Sequence, residues 1–111
     1  MQRPSAGDLN RRAVIRRWQE FPDVVDGIDQ SFPEVARVWS KVEPVGGGIY
    51  YGSVQTGNMV THRITIRRRQ DVTAEHVIDA DGRRYRVKRS ADLGTAREFT
   101  VLDVEELGGV P

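Results

Sequence analysis

The side chains that could carry out acid–base or nucleophilic chemistry are few in this chain and are not grouped. It has two histidines, His62 and His76, and no cysteine, so these residues alone cannot supply the three or four ligands of a zinc site. Glu105 and Glu106 are adjacent in a predicted strand and point to opposite faces, where they cannot act on one bond. No serine lies in a nucleophile-elbow or Ser-x-x-Lys context. We expect a protein that is not an enzyme and that has no cofactor and no metal site.

Three consecutive glycines, Gly46, Gly47 and Gly48, are the second feature that suggests ligand binding. A phosphate-binding loop needs a Lys-Ser or Lys-Thr pair at a fixed spacing and a helix behind it. Neither is present, so nucleotide binding is not expected. The glycines instead predict a flexible joint at the start of an uncharged segment, residues 49–58, whose sequence fits either a short helix or an extended loop.

Basic residues form the third feature. Residues 60–90 hold nine Lys/Arg against four Asp/Glu, whereas residues 91–111 hold one against five and residues 21–45 hold two against five. This asymmetry predicts a positive and a negative pole, which suit head-to-tail contact between identical subunits or contact with a polyanion. The alternative is that these arginines only solvate strand faces. The candidate basic face consists of Arg63, Arg67, Arg69, Arg84, Arg86 and Lys88.

Nucleic-acid binding by this face is expected to be non-specific at most. Lys and Arg clusters bind phosphates, but the sequence contains no convincing recognition helix of the kind that reads bases. A platform for single strands needs exposed aromatic residues among the arginines. Tyr85 is the aromatic residue at a suitable position, and its place in the alternating pattern puts it inside.

Alternating apolar and polar residues predict that these side chains are carried on strands. Residues 60–69 alternate in this way, and Asp81-Gly82 is a strong hairpin signal because a type I′ turn needs positive φ at both central residues. In the strand at Leu9–Trp18 both faces carry apolar residues, so its inward face stays open. The predicted strands are Leu9–Trp18, Glu34–Glu43, Met59–Arg69, His76–Ala80, Arg83–Arg89 and Glu98–Glu106.

Six short strands with glycine-containing turns and little helix predict an all-β fold, a small antiparallel β-barrel with long loops. The 111 residues are predicted to form a single domain. Residues 1–8 are expected to be a flexible arm, 19–33 a long acidic loop, 44–58 a Gly-rich uncharged loop and 108–111 a loose tail. No apolar run reaches the roughly 20 residues of a membrane span, and the N-terminus lacks the apolar region of a signal peptide, so no membrane partner is expected.

The order and spacing of several short segments resemble the head-tail joining (head closure, or stopper) proteins of tailed bacteriophages and of phage-like gene transfer agents. The acidic loop and the glycine triplet depart from that pattern. The segments that carry the resemblance are Gly7-Asp8-Leu9-Asn10-Arg11-Arg12-Ala13-Val14-Ile15, Val38-Trp39-Ser40-Lys41-Val42-Glu43-Pro44, Thr61-His62-Arg63-Ile64-Thr65-Ile66-Arg67, Val72-Thr73, Asp81-Gly82-Arg83-Arg84-Tyr85-Arg86-Val87 and residues 98–106.

The resemblance implies a β-barrel subunit of a homo-oligomeric ring in the virion neck, assembled in the host bacterial cytoplasm. Such a ring closes the DNA-filled head below the portal and adaptor proteins and provides the platform for the tail terminator or tail tube proteins. Non-specific contact with packaged double-stranded DNA is also expected. The sequence leaves open a sixfold or twelvefold ring, and also another neck component such as a tail terminator or adaptor, or a free-standing nucleic-acid-binding module.

Two segments are candidates for the contacts of this ring. The Gly-rich loop is predicted to point towards the ring axis and gate the channel, and the acidic loop with its interspersed apolar residues is predicted to contact a neighbouring ring. The candidate gating residues are Gly46, Gly47, Gly48, Tyr50, Tyr51, Gln55 and Asn58. The candidate neighbour-contact residues are Phe21, Asp23, Val25, Asp26, Ile28, Asp29 and Phe32.

Overall fold

A computed structural model describes residues 9–23, 27–45, 60–93 and 98–109 of the chain, and within these ranges it contains strands and no helix. None of the described segments is therefore a helix long and apolar enough to cross a membrane. The strands are β1 (Arg11–Arg17), β2 (Gln19–Asp23), β3 (Gly27–Ser31), β4 (Glu34–Pro44), β5 (His62–Arg67), β6 (His76–Ala80), β7 (Arg83–Leu93) and β8 (Phe99–Gly109).

Six of these strands form a closed antiparallel barrel in the order β1-β4-β5-β8-β7-β6, which confirms the predicted all-β barrel. The six barrel strands correspond one for one to the six strands predicted from the alternating pattern, and β6 has the predicted bounds. Closure gives every barrel strand a partner on both sides over part of its length, which reduces the strand edge open to a passing chain. The ends of β7 and β8 extend beyond their other neighbours and, among the described strands, pair only with each other.

The barrel interior is filled by the inward-facing apolar residues of all six strands. Ile15, Ile64, Ile78 and Leu102 are fully buried, and each such side chain stabilises the fold by about 1.5–3 kcal/mol relative to an exposed position. The structure also settles the ambiguous first strand, because Ala13 and Ile15 face the core while their neighbours do not. The core cluster contains Ala13, Ile15, Ile64, Ile66, Val72, Ile78, Ala80, Tyr85, Val87, Leu102 and Val104.

The turn between β6 and β7 has the geometry that its sequence predicts. Asp81 and Gly82 both have positive φ, 53° and 74°, as a two-residue type I′ turn requires. The turn sets the register in which Ala80 pairs with Arg83 and Ile78 with Tyr85. This register turns Tyr85 and Val87 inward, as predicted.

The prediction of a long acidic loop over 19–33 was wrong for most of this segment. Strands β2 and β3 pair with each other as a separate two-stranded sheet, with Gln19 opposite Ser31 and Asp23 opposite Gly27. Pro22, which argued against a strand, lies in β2. Among the described strands β2 pairs with β3 alone, so one edge of β2 needs no hydrogen-bond donors and a residue without an N–H is compatible with this strand. Proline is therefore compatible with this ribbon although it would interrupt a central strand.

The prediction of a loose tail over 108–111 was wrong for its first two residues. Gly108 and Gly109 continue β8 and pair with Arg84 and Arg83. A register shift in β8 leaves Leu107 outside the one-to-one pairing, and Gly108 has a φ of 135°. A glycine tolerates this backbone conformation without strain, so the residues that suggested a tail here belong to a β-bulge.

The pairing registers place the connections of the barrel at two opposite ends. At one end β1 finishes at Arg17 beside His76, and β4 begins at Glu34, so the β2–β3 hairpin leaves the barrel there. At the other end Pro44 of β4 pairs with His62 of β5, so the connection over residues 45–61 leaves from this end. The two predicted contact segments are therefore attached to opposite ends of the barrel.

Candidate functional site

The candidate basic face does not form a continuous positive surface, because most of its members have an acidic partner. Arg63 Nε donates to Asp103 Oδ1 at 3.1 Å, and Arg69 makes two hydrogen bonds to the Asp71 carboxylate. Lys88 Nζ lies 3.4 Å from Glu105 Oε1. The remaining members are Arg84 and Arg86, which belong to the cluster described below, and Arg67.

The prediction of separate poles was wrong for residues 60–90 and 91–111, and the strand order gives the reason. The acidic strand β8 lies between the basic strands β5 and β7. Asp103 of β8 pairs with Arg63 of β5 and also lies 3.3 Å from Arg89 of β7. Charges that are segregated along the chain are thus interleaved in space, where they neutralise one another.

A second group of charged and aromatic residues covers the outside of the barrel next to the hairpin. Asp79 accepts two hydrogen bonds from Arg84, at 2.8 and 3.0 Å, and one from Arg16 at 2.9 Å. The Arg84 guanidinium also lies over the Phe32 ring, 4.2 Å from its centroid. In the same way the Arg86 guanidinium lies 4.5 Å from the centroid of Trp18. We call these six residues the hairpin anchor, because Trp18 precedes β2 and Phe32 follows β3.

The hairpin anchor binds the two ends of the hairpin to strands β6 and β7. Arg16 Nη1 donates to the Phe32 carbonyl at 3.1 Å, and the Trp18 N–H donates to the Glu75 carbonyl at 2.8 Å. The Trp18 indole nitrogen is buried and has no hydrogen-bond partner among the described residues. The aromatic rings are thus held by guanidinium faces, an arrangement worth about 0.5–2 kcal/mol per pair.

Asp79 is the electrostatic centre of the hairpin anchor. Burial opposes ionisation of its carboxyl, but the hydrogen bonds and charges of Arg84 and Arg16 outweigh burial, so the pKa of Asp79 is lowered from its ordinary value. The same pair raises the pKa of Arg84, chiefly through its hydrogen bond to Asp79. Both groups are therefore charged at neutral pH, and neither is a candidate acid or base.

The histidines and the paired glutamates also have local structural partners. Thr73 N–H donates to His76 Nδ1 at 3.1 Å within the turn that precedes β6. The His62 ring packs edge-on against Tyr85 with centroids 5.1 Å apart. Glu105 contacts Lys88 whereas Glu106 contacts Arg83. Among the described residues no group of three or more His, Cys, Asp or Glu side chains could hold a metal ion.

The candidate gating residues Gly46, Gly47, Gly48, Tyr50, Tyr51, Gln55 and Asn58 lie outside the described residues. The residues at the two ends of this segment are hydrogen-bonded to each other and to the barrel. Val45 N–H donates to the Thr61 carbonyl at 2.9 Å, and Thr61 N–H donates to the Val104 carbonyl at 2.9 Å. Thr61 also accepts the Glu106 N–H on its hydroxyl at 2.7 Å. The segment therefore begins and ends side by side on a fixed part of the barrel rim.

The candidate neighbour-contact residues are divided between the hairpin and its tip. The backbones of Phe21 and Asp23 lie in β2, and those of Ile28 and Asp29 lie in β3. Val25 and Asp26 fall outside the described residues. Phe32 is not free for contact with a neighbour, because its ring packs on Arg84 and lies 6.2 Å from the Trp18 ring centroid.

Sequence reasoning missed one exposed surface, on the outside of β4. Trp39 is 53% exposed, and the Arg12 guanidinium lies 5.1 Å from its ring centroid. The signal was present in β4, where Val35 and Trp39 place large apolar residues on the face opposite Ala36 and Val38. In a strand with large apolar residues on both faces, one face packs in the core and the other remains exposed, where it can contact a partner.

Comparison with known proteins gives one family match. The model of the family described as phage head completion protein matches residues 4–107. A search of curated proteins gave no significant match.

Among solved structures, the chain is similar to the solution structure of a protein from Shigella flexneri 2a, with 20% identity and a TM-score of 0.65 over 94% of this chain and 97% of that one. It is also similar to a chain of the virion of a native gene transfer agent particle, with 18% identity and a TM-score of 0.60 over 96% of this chain and 100% of that one. At these identities the similarity concerns the fold.

Proposed function

The chain belongs to the family of phage head completion proteins, and on this basis we propose that it is a structural neck protein of a tailed phage-like particle. In this proposal identical subunits form a ring that closes the DNA-filled head below the portal and adaptor proteins. The same ring provides the platform to which the tail terminator or tail tube attaches. The family match over residues 4–107 is the observation that carries the proposal.

The layout of the barrel supports a position between two neighbouring rings. The β2–β3 hairpin leaves one end of the barrel and the residue 45–61 connection leaves the other. A subunit whose two candidate contact segments are attached at opposite ends can contact a different component on each side, with the barrels forming the body of the ring. Symmetry then multiplies modest contacts into a stable assembly.

We assign channel gating to the Gly-rich segment on the basis of its sequence and its attachment. Its ends are held together by the Val45–Thr61 hydrogen bond, so a movement of the segment would not disturb the barrel. Gly46, Gly47 and Gly48 at its start provide the backbone freedom for such a movement. Replacing Gly47 and Gly48 by proline is expected to impair DNA retention or release, and unchanged retention and release would contradict this assignment.

We assign contact with a neighbouring ring to the hairpin. Its sequence has no lysine or arginine between Gln19 and Pro33 but contains Glu20, Asp23, Asp26 and Asp29. Reversing the charges of Asp23, Asp26 and Asp29 is expected to reduce tail attachment. The hairpin anchor supports this role, because it fixes the direction in which the hairpin leaves the barrel.

Deletion of the gene from its producing cell tests the neck role. Negative-stain electron microscopy of the lysate and quantification of packaged DNA are expected to show heads separated from complete tails, with DNA lost from the heads. Complementation with the wild-type gene is the control. Intact tailed particles in normal numbers would contradict the proposal, whereas filled heads that hold their DNA beside tails of abnormal length would indicate a tail terminator.

A further inference from the structure

The exposed Trp39 stands at the edge of a groove on the barrel wall. The groove has a volume of ≈ 280 Å³ and is lined by Leu9, Val38, Trp39 and Arg67. Arg12 adds a second guanidinium on the Trp39 ring. We call these five residues the Trp39 groove. Tryptophan and arginine are the residues most enriched among those that dominate binding energy at protein interfaces.

The charges of the Trp39 groove distinguish it from the rest of the surface formed by the described residues. Of the described arginines and lysines, Arg12, Arg67 and Arg86 form no ion pair with a described residue. Arg86 is covered by Trp18 in the hairpin anchor. The two remaining cations both belong to the Trp39 groove, which therefore suits an occupant that combines apolar and acidic side chains.

The β2–β3 hairpin of the same protein has this composition. Its sequence places Phe21 and Ile28 among Glu20, Asp23 and Asp29. Its strands pair with each other and with no other described strand, and no barrel strand packs extensively against it within the described residues. An isolated two-stranded hairpin is only marginally stable in water, so a partner surface is expected to cover it.

We propose that the hairpin of one copy docks in the Trp39 groove of the next copy. The hairpin leaves the barrel at the end where Arg17 pairs with His76, whereas Trp39 pairs with Arg12 farther along the wall, so each copy presents both halves of the contact at different places. Such a contact is heterologous and closes into a ring when the rotation between copies fits. The proposal rests on the proposed ring. It places the strands of the hairpin between copies of one ring, as the alternative to the contact with a neighbouring ring, and a cross-link to a different virion protein would favour the latter.

Cysteine cross-linking in assembled particles tests this contact directly, because the natural chain has no cysteine. Gln30→Cys in β3 and Lys41→Cys beside the groove leave Trp39, Arg12 and Arg67 in place. We expect a short bis-maleimide to convert this variant into a ladder of multimers in particles from a gene-deleted cell complemented with it. The matched control pairs Gln30→Cys with Arg89→Cys, an exposed position on β7, and is expected to give no ladder.

Charge reversal provides a second readout in the same particles. Arg67→Glu added to the Gln30→Cys, Lys41→Cys variant is expected to reduce the ladder at least about fivefold, which corresponds to about 1 kcal/mol. Adding Asp29→Lys is expected to restore it. Circular dichroism and thermal melting of each purified variant verify that the barrel is folded.

Several results would overturn the docking proposal. These are a monomer-sized internal cross-link, a cross-link to a different virion protein, an equally strong ladder from the control pair, or no ladder in particles that carry tails. In the last case the neck role stands and the docking is wrong. Intact tailed particles after gene deletion would instead refute the neck role, independently of the cross-links.

Discussion

At the scale of single residues, the least expected arrangement is the ion cluster of Asp79, Arg84 and Arg16 on the outside of the barrel. Alternation predicted that Arg84 faces outward, and it does, but its side chain is only 16% exposed. The hairpin ends return over the barrel and place Phe32 on Arg84 and Trp18 on Arg86. The alternation of residues along a strand predicts which face of the strand carries a given side chain. Whether that face is exposed also depends on segments elsewhere in the chain that pack on it.

Asp79 gives a prediction for stability and its pH dependence. Asp79→Asn is expected to lower the free energy of unfolding by about 2 kcal/mol at neutral pH, because two partly buried guanidinium groups lose their charged partner. The folded-state pKa of Asp79 is lowered, so its contribution is present above the unfolded value of about 3.9 and is lost as the pH falls through the folded value. Urea denaturation of both proteins at a series of pH values measures this.

The control for this prediction is Glu34→Gln. Glu34 is also paired with an arginine, Arg37, but that pair is exposed, and exposed pairs contribute little to stability. We expect Glu34→Gln to leave the free energy of unfolding unchanged. An Asp79→Asn protein as stable as the Glu34→Gln protein at neutral pH would contradict the role assigned to the cluster.

At the scale of elements, the six barrel strands were predictable and the two departures have local causes. Alternation with a period of two identifies a strand that has one buried face, which holds for β5, where Ile64 and Ile66 are fully buried. The β2–β3 hairpin lacks such a face within the barrel and contains a proline, so its sequence resembled a loop. The end of β8 was missed because a bulge glycine and a tail glycine are identical in sequence.

The β8 bulge gives the prediction at this scale. Gly108→Ala is expected to lower the free energy of unfolding by about 1–3 kcal/mol, because a φ of 135° strains any residue with a Cβ. Gly109→Ala is the matched control, since the added Cβ would meet only the Gly82 carbonyl oxygen at 3.9 Å. Equal thermal unfolding midpoints for the two variants would contradict the assignment of Gly108 to a bulge.

At the scale of the whole molecule, the sequence predicted the charge of each segment but not the cancellation between segments. Topology places β8 between β5 and β7, and Asp103 then neutralises Arg63. Of the candidate sites, the basic face is therefore the one for which the sequence is the poorest guide to the charge that the folded protein presents. The family assignment was reachable from the sequence, because it depends on the order of segments and not on their spatial arrangement.

This cancellation predicts that the isolated subunit binds double-stranded DNA weakly. Among the described residues, Arg12, Arg67 and Arg86 form no ion pair, and three phosphate contacts correspond to a slope of log affinity against log salt concentration of about −3. Six phosphate contacts from the candidate basic face would instead give about −5. Fluorescence anisotropy at several salt concentrations measures the slope. Asp103→Asn should increase the affinity by releasing Arg63 and Arg89, and a slope near −5 for the natural protein would contradict the cancellation.

The most direct test of the neck assignment is to locate the subunit by cryo-electron microscopy of the purified particle. We expect a closed ring of these barrels between the portal-proximal proteins and the first ring of the tail, with the β2–β3 hairpin and the residue 45–61 connection at opposite ends of each barrel. A neck whose density accommodates no ring of this barrel, or a subunit found elsewhere in the particle, would contradict the account.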